Sequence, residues 1–147
     1  MIEYVKAAQI LVFNDKKELA LQLRAANDIS FPSHWDFGAG GHVDPGEDGK
    51  QTAERELKEE LGIEAEIKFV ADEHYEYPAW NSSHQRIVDS SMYKAKHNGP
   101  FKPDPKEIEK VEFFSLEKIG EMIKSGVKFH PEFAMSWNKG IISGAVI

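Results

Sequence analysis

Residues 41–63 read GHVDPGEDGKQTAERELKEELGI, and the centre of this stretch concentrates charge. Five of the six residues from Arg55 to Glu60 are charged, and three of them are glutamates. On a helix that advances about 100° per residue, Glu56, Glu59 and Glu60 share one edge, beside an apolar stripe. Glutamates four residues apart disfavour an isolated helix by about 0.2–0.5 kcal/mol, so we expect a compensating cation. Clustered carboxylate oxygens suit hard divalent ions such as Mg²⁺ or Mn²⁺.

A solvated acidic face with ion pairs to Arg55 and Lys58 is the alternative interpretation of this helix, and it is common in helices rich in Glu and Lys. The flanking residues favour the metal site. From Gly41 to Ile63 the chain reproduces the pattern Gx5Ex7REUxEExGU, where U is a bulky aliphatic residue. On this motif the chain resembles the Nudix hydrolase superfamily of MutT-like proteins. The flanks agree with the resemblance at Trp35–Gly41 and Glu107–Leu116.

The resemblance implies an α+β fold, an αβα sandwich around a mixed β-sheet in which the motif forms loop, helix and loop. At 147 residues the chain fits one such domain, spanning 1–147. Local patterns predict strands at 4–13 and 18–23 joined as a β-hairpin, then strands at 34–37, 64–77, 85–97 and 110–114. They predict helices at 48–61, 116–124 and about 131–139.

The resemblance also implies roles for the motif residues. Mg²⁺, with Mn²⁺ as the alternative, would be bound by Glu56, Glu59 and Glu60. Arg55 would orient a glutamate. Three residues would support the motif: Glu47 in its loop, Gly41 at a tight turn and Gly62 as the helix cap.

The position of the general base stays open, because the family does not keep it in one place. Glu56 is one candidate, and Glu107, nearer the C-terminus, is the other, with Glu109 and Glu112 next. An ordinary solvated acid is the alternative for Glu107. The predicted catalytic residues are therefore Arg55, Glu56, Glu59 and Glu107.

Four residues outside the acidic helix are predicted to contact the substrate. Arg24 ends a predicted strand, where a cation could face phosphates, and Arg86 begins another; ordinary surface arginines are the alternative. Gly40 and Gly41 bring backbone close to the same region.

The family activity implied is Mg²⁺-dependent hydrolysis of a phosphoanhydride in a nucleoside diphosphate linked to another moiety. ADP-ribose and similar sugar nucleotides rank first as substrates, and nucleoside triphosphates rank second. One alternative is an isomerase, because Gly40–Val43 and Phe129–Phe133 resemble proteins related to isopentenyl diphosphate isomerase. The absence of cysteine disfavours it, since that enzyme type relies on a cysteine. A non-catalytic nucleotide sensor is the other alternative, disfavoured by the intact motif.

Composition limits the partners. Lys and Arg number 18 against 25 Asp and Glu, a net charge of −7, which argues against a binder of nucleic-acid polymers. The N-terminus lacks the basic segment and unbroken apolar run of a signal peptide, and no run is long enough to span a bilayer. We therefore expect a cytoplasmic protein with a small nucleotide substrate and no membrane partner. The resemblance leaves monomer and homodimer open.

Overall fold

A computed structural model of the chain describes residues 1–146. Its strands are β1 Ile2–Phe13, β2 Leu19–Arg24, β3 Trp35–Phe37, β4 Ala39–His42, β5 Ile67–Pro78, β6 Gln85–Lys96 and β7 Ile108–Phe114. Its helices are α1 Gly49–Glu56, α2 Leu116–Lys124, α3 Pro131–Asn138 and α4 Ile141–Gly144, and a π-helical turn, Leu57–Leu61, continues α1. Within these residues no helix is long and apolar enough to cross a membrane.

The strands form one mixed sheet in the order β3-β2-β1-β6-β5, with β4 paired to β1 and β7 paired to β2. β1 and β6 are parallel over their whole length, from the pair Ile2 and Gln85 to the pair Phe13 and Lys96. The other strand pairs are antiparallel. The mixed sheet agrees with the expectation from the sequence.

Side chains alternate along β1, so the sheet buries two faces. Ala8, Ile10 and Val12 pack in one cluster with Leu57 and other residues of the acidic helix. Leu11 and Phe13 pack on the opposite face, in a cluster that includes Ile119 of α2, Phe133 of α3 and Ile142 of α4. Helices therefore cover both faces, and the predicted αβα sandwich is confirmed.

The predicted hairpin between the first two strands is confirmed only at its turn. β1 and β2 are antiparallel and pair at Phe13 and Leu19, because β4 occupies the rest of that edge of β1 and β2 pairs with β3 and β7. No strand was predicted at residues 39–42, but they form β4, which runs antiparallel to Ala7–Ile10. The tight turn expected at Gly41 is therefore wrong, because Gly41 pairs with Ala8 within this strand. Strand pairing over such distances is set by tertiary contacts that local patterns do not contain.

The acidic helix begins with a capping box that the sequence reading did not identify. The Asp48 carboxylate accepts from the Gln51 backbone N–H at 2.8 Å, and the Gln51 side chain accepts from the Asp48 N–H at 2.9 Å. The helix ends at Gly62, whose φ of 68° lies in the left-handed region that glycine adopts at low cost. A single helix was expected over 48–61, whereas its last five residues, Leu57–Leu61, are π-helical. Such π turns often occur at functional sites.

Candidate active site

Strand β4 brings the backbone of Gly40 and Gly41 against the acidic helix. Gly41 pairs with Ala8 of β1, and Gly40 pairs with Gln9. A Cβ placed on Gly41 would lie 2.6 Å from Cδ of Glu56, closer than atoms can pack. The Glu56 carboxyl group therefore occupies space that only glycine leaves open at this position.

Glu60 lies inside the protein, at the side of Gly40. It is 8% exposed, and its Oε1 accepts a hydrogen bond from the Gly40 N–H at 2.7 Å. Burial raises the pKa of Glu60 well above its ordinary value; the Gly40 hydrogen bond opposes this, and the charges of Glu56, Glu107 and Asp36 add to it. An added positive charge here would stabilise the ionised carboxylate.

Glu56 is in a similar state. Its side chain is 12% exposed, and burial is the main cause that raises its pKa to about 7. The Arg55 charge lowers this pKa, while the charges of Glu59 and Glu107 raise it. The single positive charge of Arg55 is thus smaller than the combined negative charge of the carboxylates around it.

Arg55 organises the motif. Its Nε and Nη2 bind the two oxygens of Glu47 at 2.8 and 3.0 Å, a bidentate pair. Its Nη1 donates to Glu56 Oε1 at 2.6 Å and to Glu59 Oε2 at 3.1 Å, and Nη2 donates to the His42 carbonyl at 3.1 Å. The hydrogen bonds from Arg55 are the main cause that lowers the pKa of Glu47 to about 2. Arg55 therefore connects the motif loop to the carboxylates of Glu56 and Glu59, and its role in orienting a glutamate for the reaction stays a prediction.

Glu107 faces the same carboxylates from the segment before β7. Glu56, Glu60 and Glu107 line one open depression of about 510 Å³, together with Gly40 and Gly41. Glu107 itself is exposed. Two of the three predicted ligands and the predicted distal acid thus line one depression, whereas Glu59 does not line it and has a side chain 57% exposed.

The donor chemistry of the glutamates fits a hard cation. Glu56 and Glu59 each give one oxygen to Arg55, and Glu60 gives one to Gly40. The second oxygen of each makes no hydrogen bond to a residue within 1–146. In the conformation described for this range, no three Asp, Glu or His side chains already converge as a metal cluster. Rotation of these side chains would be needed to bring the three free oxygens together.

The two predicted substrate-binding arginines differ in their surroundings. Arg24 lines the depression, but it is held by Asp28 and Asp36, each at 3.2 Å, and by the Ser30 carbonyl. Arg86 lies farther along, where its guanidinium packs over the Tyr77 ring with 5.8 Å between Cζ and the ring centroid.

A second cavity, of about 280 Å³, opens beside the depression, and the sequence reading did not predict it. The two cavities share a wall formed by Gln22, Arg24, Gly40, Gly41, His42 and Glu60. Glu132 lines the second cavity and was not considered as a functional residue. Its one signal was the segment Phe129–Phe133, which was interpreted only as a resemblance to isomerases.

Comparison with known proteins is consistent with this geometry. A family model described as the NUDIX domain matches residues 3–136. An uncharacterized Nudix hydrolase of Listeria innocua is 30% identical over 128 residues, which cover 86% of this chain and 72% of that protein. An isopentenyl-diphosphate delta-isomerase of Aspergillus fumigatus is 27% identical over 160 residues, covering 90% of this chain and 57% of the isomerase.

Solved structures show the same fold. The DR0079 protein of Deinococcus radiodurans superposes with a TM-score of 0.76 at 20% identity, covering 92% of this chain and 82% of that one. A MutT protein of Methanosarcina mazei superposes with a TM-score of 0.68 at 25% identity, covering 79% and 80% of the two chains. The family model spans most of the chain and the acidic motif is complete, so this chain belongs to the Nudix hydrolase family.

Proposed function

We propose that this chain hydrolyses the phosphoanhydride of a nucleoside diphosphate linked to another moiety, using Mg²⁺ bound through Glu56, Glu59 and Glu60. The observation that carries the proposal is the set of carboxylates at the junction of two cavities. Glu56, Glu60 and Glu107 line the open depression, and Glu60 also lines the second cavity. A substrate with two parts joined by a diphosphate would place its diphosphate at this junction.

The cation would supply two things, neutralisation of the phosphoanhydride oxygens and a lower pKa for the attacking water. The chain's own residues would hold the other elements in position. Arg55 keeps Glu56 and Glu59 oriented through its 2.6 and 3.1 Å hydrogen bonds, and Gly40 keeps Glu60 oriented. Gly41 leaves space for the Glu56 carboxyl.

We propose two candidates for the carboxylate that accepts the proton of the attacking water. Glu56 is the inner candidate, in the wall of the depression, and Glu107 is the exposed candidate across from it. A general base must reach the water directly or through one intervening water. A pH profile of kcat for Glu107→Gln separates them, because loss of the acidic limb, where protonation of the base lowers the rate, assigns the base to Glu107.

Sugar nucleotides such as ADP-ribose rank first as substrates and nucleoside triphosphates second. The support for this order is the second cavity, which offers about 280 Å³ on the far side of Gly40 and Gly41, with both polar and apolar residues in its walls. A sugar or another group attached beyond the diphosphate would fit in this cavity. A nucleoside triphosphate would place only a further phosphate there.

The test is a panel of nucleotides assayed with Mg²⁺ and with EDTA, with products identified by ³¹P NMR. We expect hydrolysis only with the metal, and a loss of at least about 100-fold in kcat for Glu59→Gln and Glu60→Gln. Glu54→Gln is the matched control, because Glu54 is an exposed glutamate of the same helix outside the depression. Nucleotide that binds but stays uncleaved would instead indicate a sensor.

Isomerisation of isopentenyl diphosphate is the second candidate, favoured by the 27% identical isomerase. Four charged residues line the second cavity, Arg24, Asp36, Arg86 and Glu132. A five-carbon hydrocarbon would meet them as well as the apolar Val5, Phe37 and Val88, which disfavours this candidate. The chain also has no cysteine. Formation of dimethylallyl diphosphate from isopentenyl diphosphate would establish this candidate, and its absence under conditions where nucleotides are cleaved would exclude it.

A further inference from the structure

The second cavity contains a buried carboxylate without a cationic partner. Glu132, in the first turn of α3, is 8% exposed. Its Oε1 accepts from Gln9 Nε2 at 2.5 Å, and its Oε2 accepts from the Tyr77 hydroxyl. Within residues 1–146 it forms no salt bridge. Because a carboxylate has about four acceptor sites, two remain for a ligand.

The groups around Glu132 fix its position. Gln9 also accepts from the Ser90 hydroxyl, so its amide nitrogen is directed at Glu132. Burial, followed by the Glu132 charge, raises the pKa of the Tyr77 hydroxyl, which therefore stays protonated and donates. Gln9 pairs with Gly40, and the Gly40 N–H binds Glu60. A short chain of contacts thus connects Glu132 to the proposed metal ligands.

Arg86 lines the same cavity as Glu132. Its Nε forms an ion pair with Glu3 Oε1 at 3.1 Å, and its guanidinium packs over the Tyr77 ring. The groups that the cavity offers to the donors of a ligand are therefore the spare acceptor sites of Glu132.

We propose that this cavity is the specificity pocket of the site, and that Glu132 selects a substrate group carrying two neighbouring hydrogen-bond donors. The inference rests on the proposed function, which places the diphosphate at Gly40 and Gly41. Two parts of such a substrate carry neighbouring donors: the vicinal hydroxyls of a sugar and the N1–H and 2-amino edge of guanine. Loss of a hydrogen bond to a charged acceptor lowers affinity about tenfold to 100-fold.

Calorimetric binding of small phosphate compounds tests the inference without hydrolysis. One arm compares ribose 5-phosphate with 2-deoxyribose 5-phosphate, and the other compares GMP with IMP. We expect the wild-type protein to bind the donor-richer member of one pair about tenfold more tightly. Glu132→Gln removes one acceptor at almost constant shape and should bring that ratio to within about twofold of unity.

Glu73→Gln is the matched control. Glu73 is also a buried glutamate between β5 and α3, where it accepts from Ser136 at 3.1 Å, but it does not line the second cavity. Its variant should keep the wild-type ratio, whereas a general loosening of α3 would change both variants alike. Thermal unfolding of both variants reports whether α3 stays packed.

Two results would overturn the inference: a wild-type protein that discriminates neither pair, or a Glu132→Gln variant that discriminates as the wild type does. Both can occur while the nucleotide panel still shows Mg²⁺-dependent hydrolysis, in which case the proposed function stands. Conversely, a binding ratio that depends on Glu132, in a protein that hydrolyses no nucleotide, would support the specificity pocket and refute the proposed hydrolase activity.

Discussion

Replacing Gly41 with alanine tests whether the position of the Glu56 carboxyl group matters for the reaction. The new Cβ would meet Glu56 Cδ at 2.6 Å, Oε1 at 2.7 Å and Oε2 at 2.9 Å. Ordinary van der Waals contact begins at 3.4 Å, so the carboxyl must retreat by about 0.5–0.8 Å. Glu56 is held by Arg55 at 2.6 Å, and its displacement would disturb that ion pair as well.

The expected result of Gly41→Ala is a large loss of activity, with a measurable loss of stability that comes from the contact with the Glu56 carboxyl. A misplacement of about 1 Å can cost about 100-fold in rate, so we expect kcat to fall about 10-fold to 100-fold. Steady-state hydrolysis of the best substrate from the nucleotide panel measures it. Gly120→Ala in α2 is the control, because its Cβ would meet Trp137 at an ordinary 3.6 Å.

A double-mutant cycle isolates the clash in the stability measurement. In a Glu56→Ala background the carboxyl is gone, so Gly41→Ala should cost little further free energy of unfolding. The reasoning is refuted if Gly41→Ala keeps kcat within about twofold of wild type, or if its stability cost is the same with and without the Glu56 carboxyl.

Three further predictions concern the neighbouring groups. The pKa of Glu56 is about 7 in the fold against 4.5 for the ordinary side chain, so the folded state keeps a proton that the unfolded chain loses. In EDTA the free energy of unfolding should therefore fall by up to about 3 kcal/mol as pH rises from 4.5 to 7, a dependence that denaturant titration of Glu56→Gln should lack. Arg55→Lys should lower kcat about 10-fold or more with its melting temperature only modestly reduced, because an ammonium cannot bind Glu47 bidentately and hold Glu56 as well; an unchanged kcat would reject this role. Ser136→Ala should cost about 1–3 kcal/mol in chemical denaturation, because the hydroxyl bridges buried Tyr75 and Glu73, with KM unchanged; a neutral substitution would contradict the bridge.

Local signals in the sequence predicted α2, α3 and the end of the acidic helix, but they did not predict α4. α2 lies at Leu116–Lys124 as expected, and Ser115 caps it by accepting from the Lys118 N–H at 3.1 Å. Gly62 ends the acidic helix in the left-handed conformation. These features depend on residues within one or two turns, where spacing and capping chemistry carry the information.

Non-local features could not be read in the same way. The parallel pairing of β1 with β6 joins residues more than 80 positions apart, and the pairing of β4 with Ala7–Ile10 limits the expected hairpin to Phe13 and Leu19. Strand β4 forms from glycines that have no strand propensity, because β1 offers a free edge at Ala7–Ile10.

The capping role of Asp48, by contrast, could have been predicted from the sequence, since Asp48 and Gln51 have the spacing of a capping box.

The residues of the candidate site also divide into those that a local motif predicts and those that only the folded structure brings together. The motif identified Arg55 and the glutamates of the helix, and the structure places Glu107 beside two of them. Glu132 had no such motif, because its surroundings come from β1, β5 and α3. A buried acid without a cation becomes visible only when those elements are assembled.

The most direct test of the central claim is the Mg²⁺-dependent rate of phosphoanhydride hydrolysis by Glu60→Gln, measured beside wild type and Glu54→Gln. Glu60 is buried against Gly40 at the junction of the two cavities, and Glu54 is exposed on the same helix. We predict a rate at least about 100-fold below wild type for Glu60→Gln and an unchanged rate for Glu54→Gln. A folded Glu60→Gln protein that hydrolyses nucleotides at the wild-type rate would contradict the account.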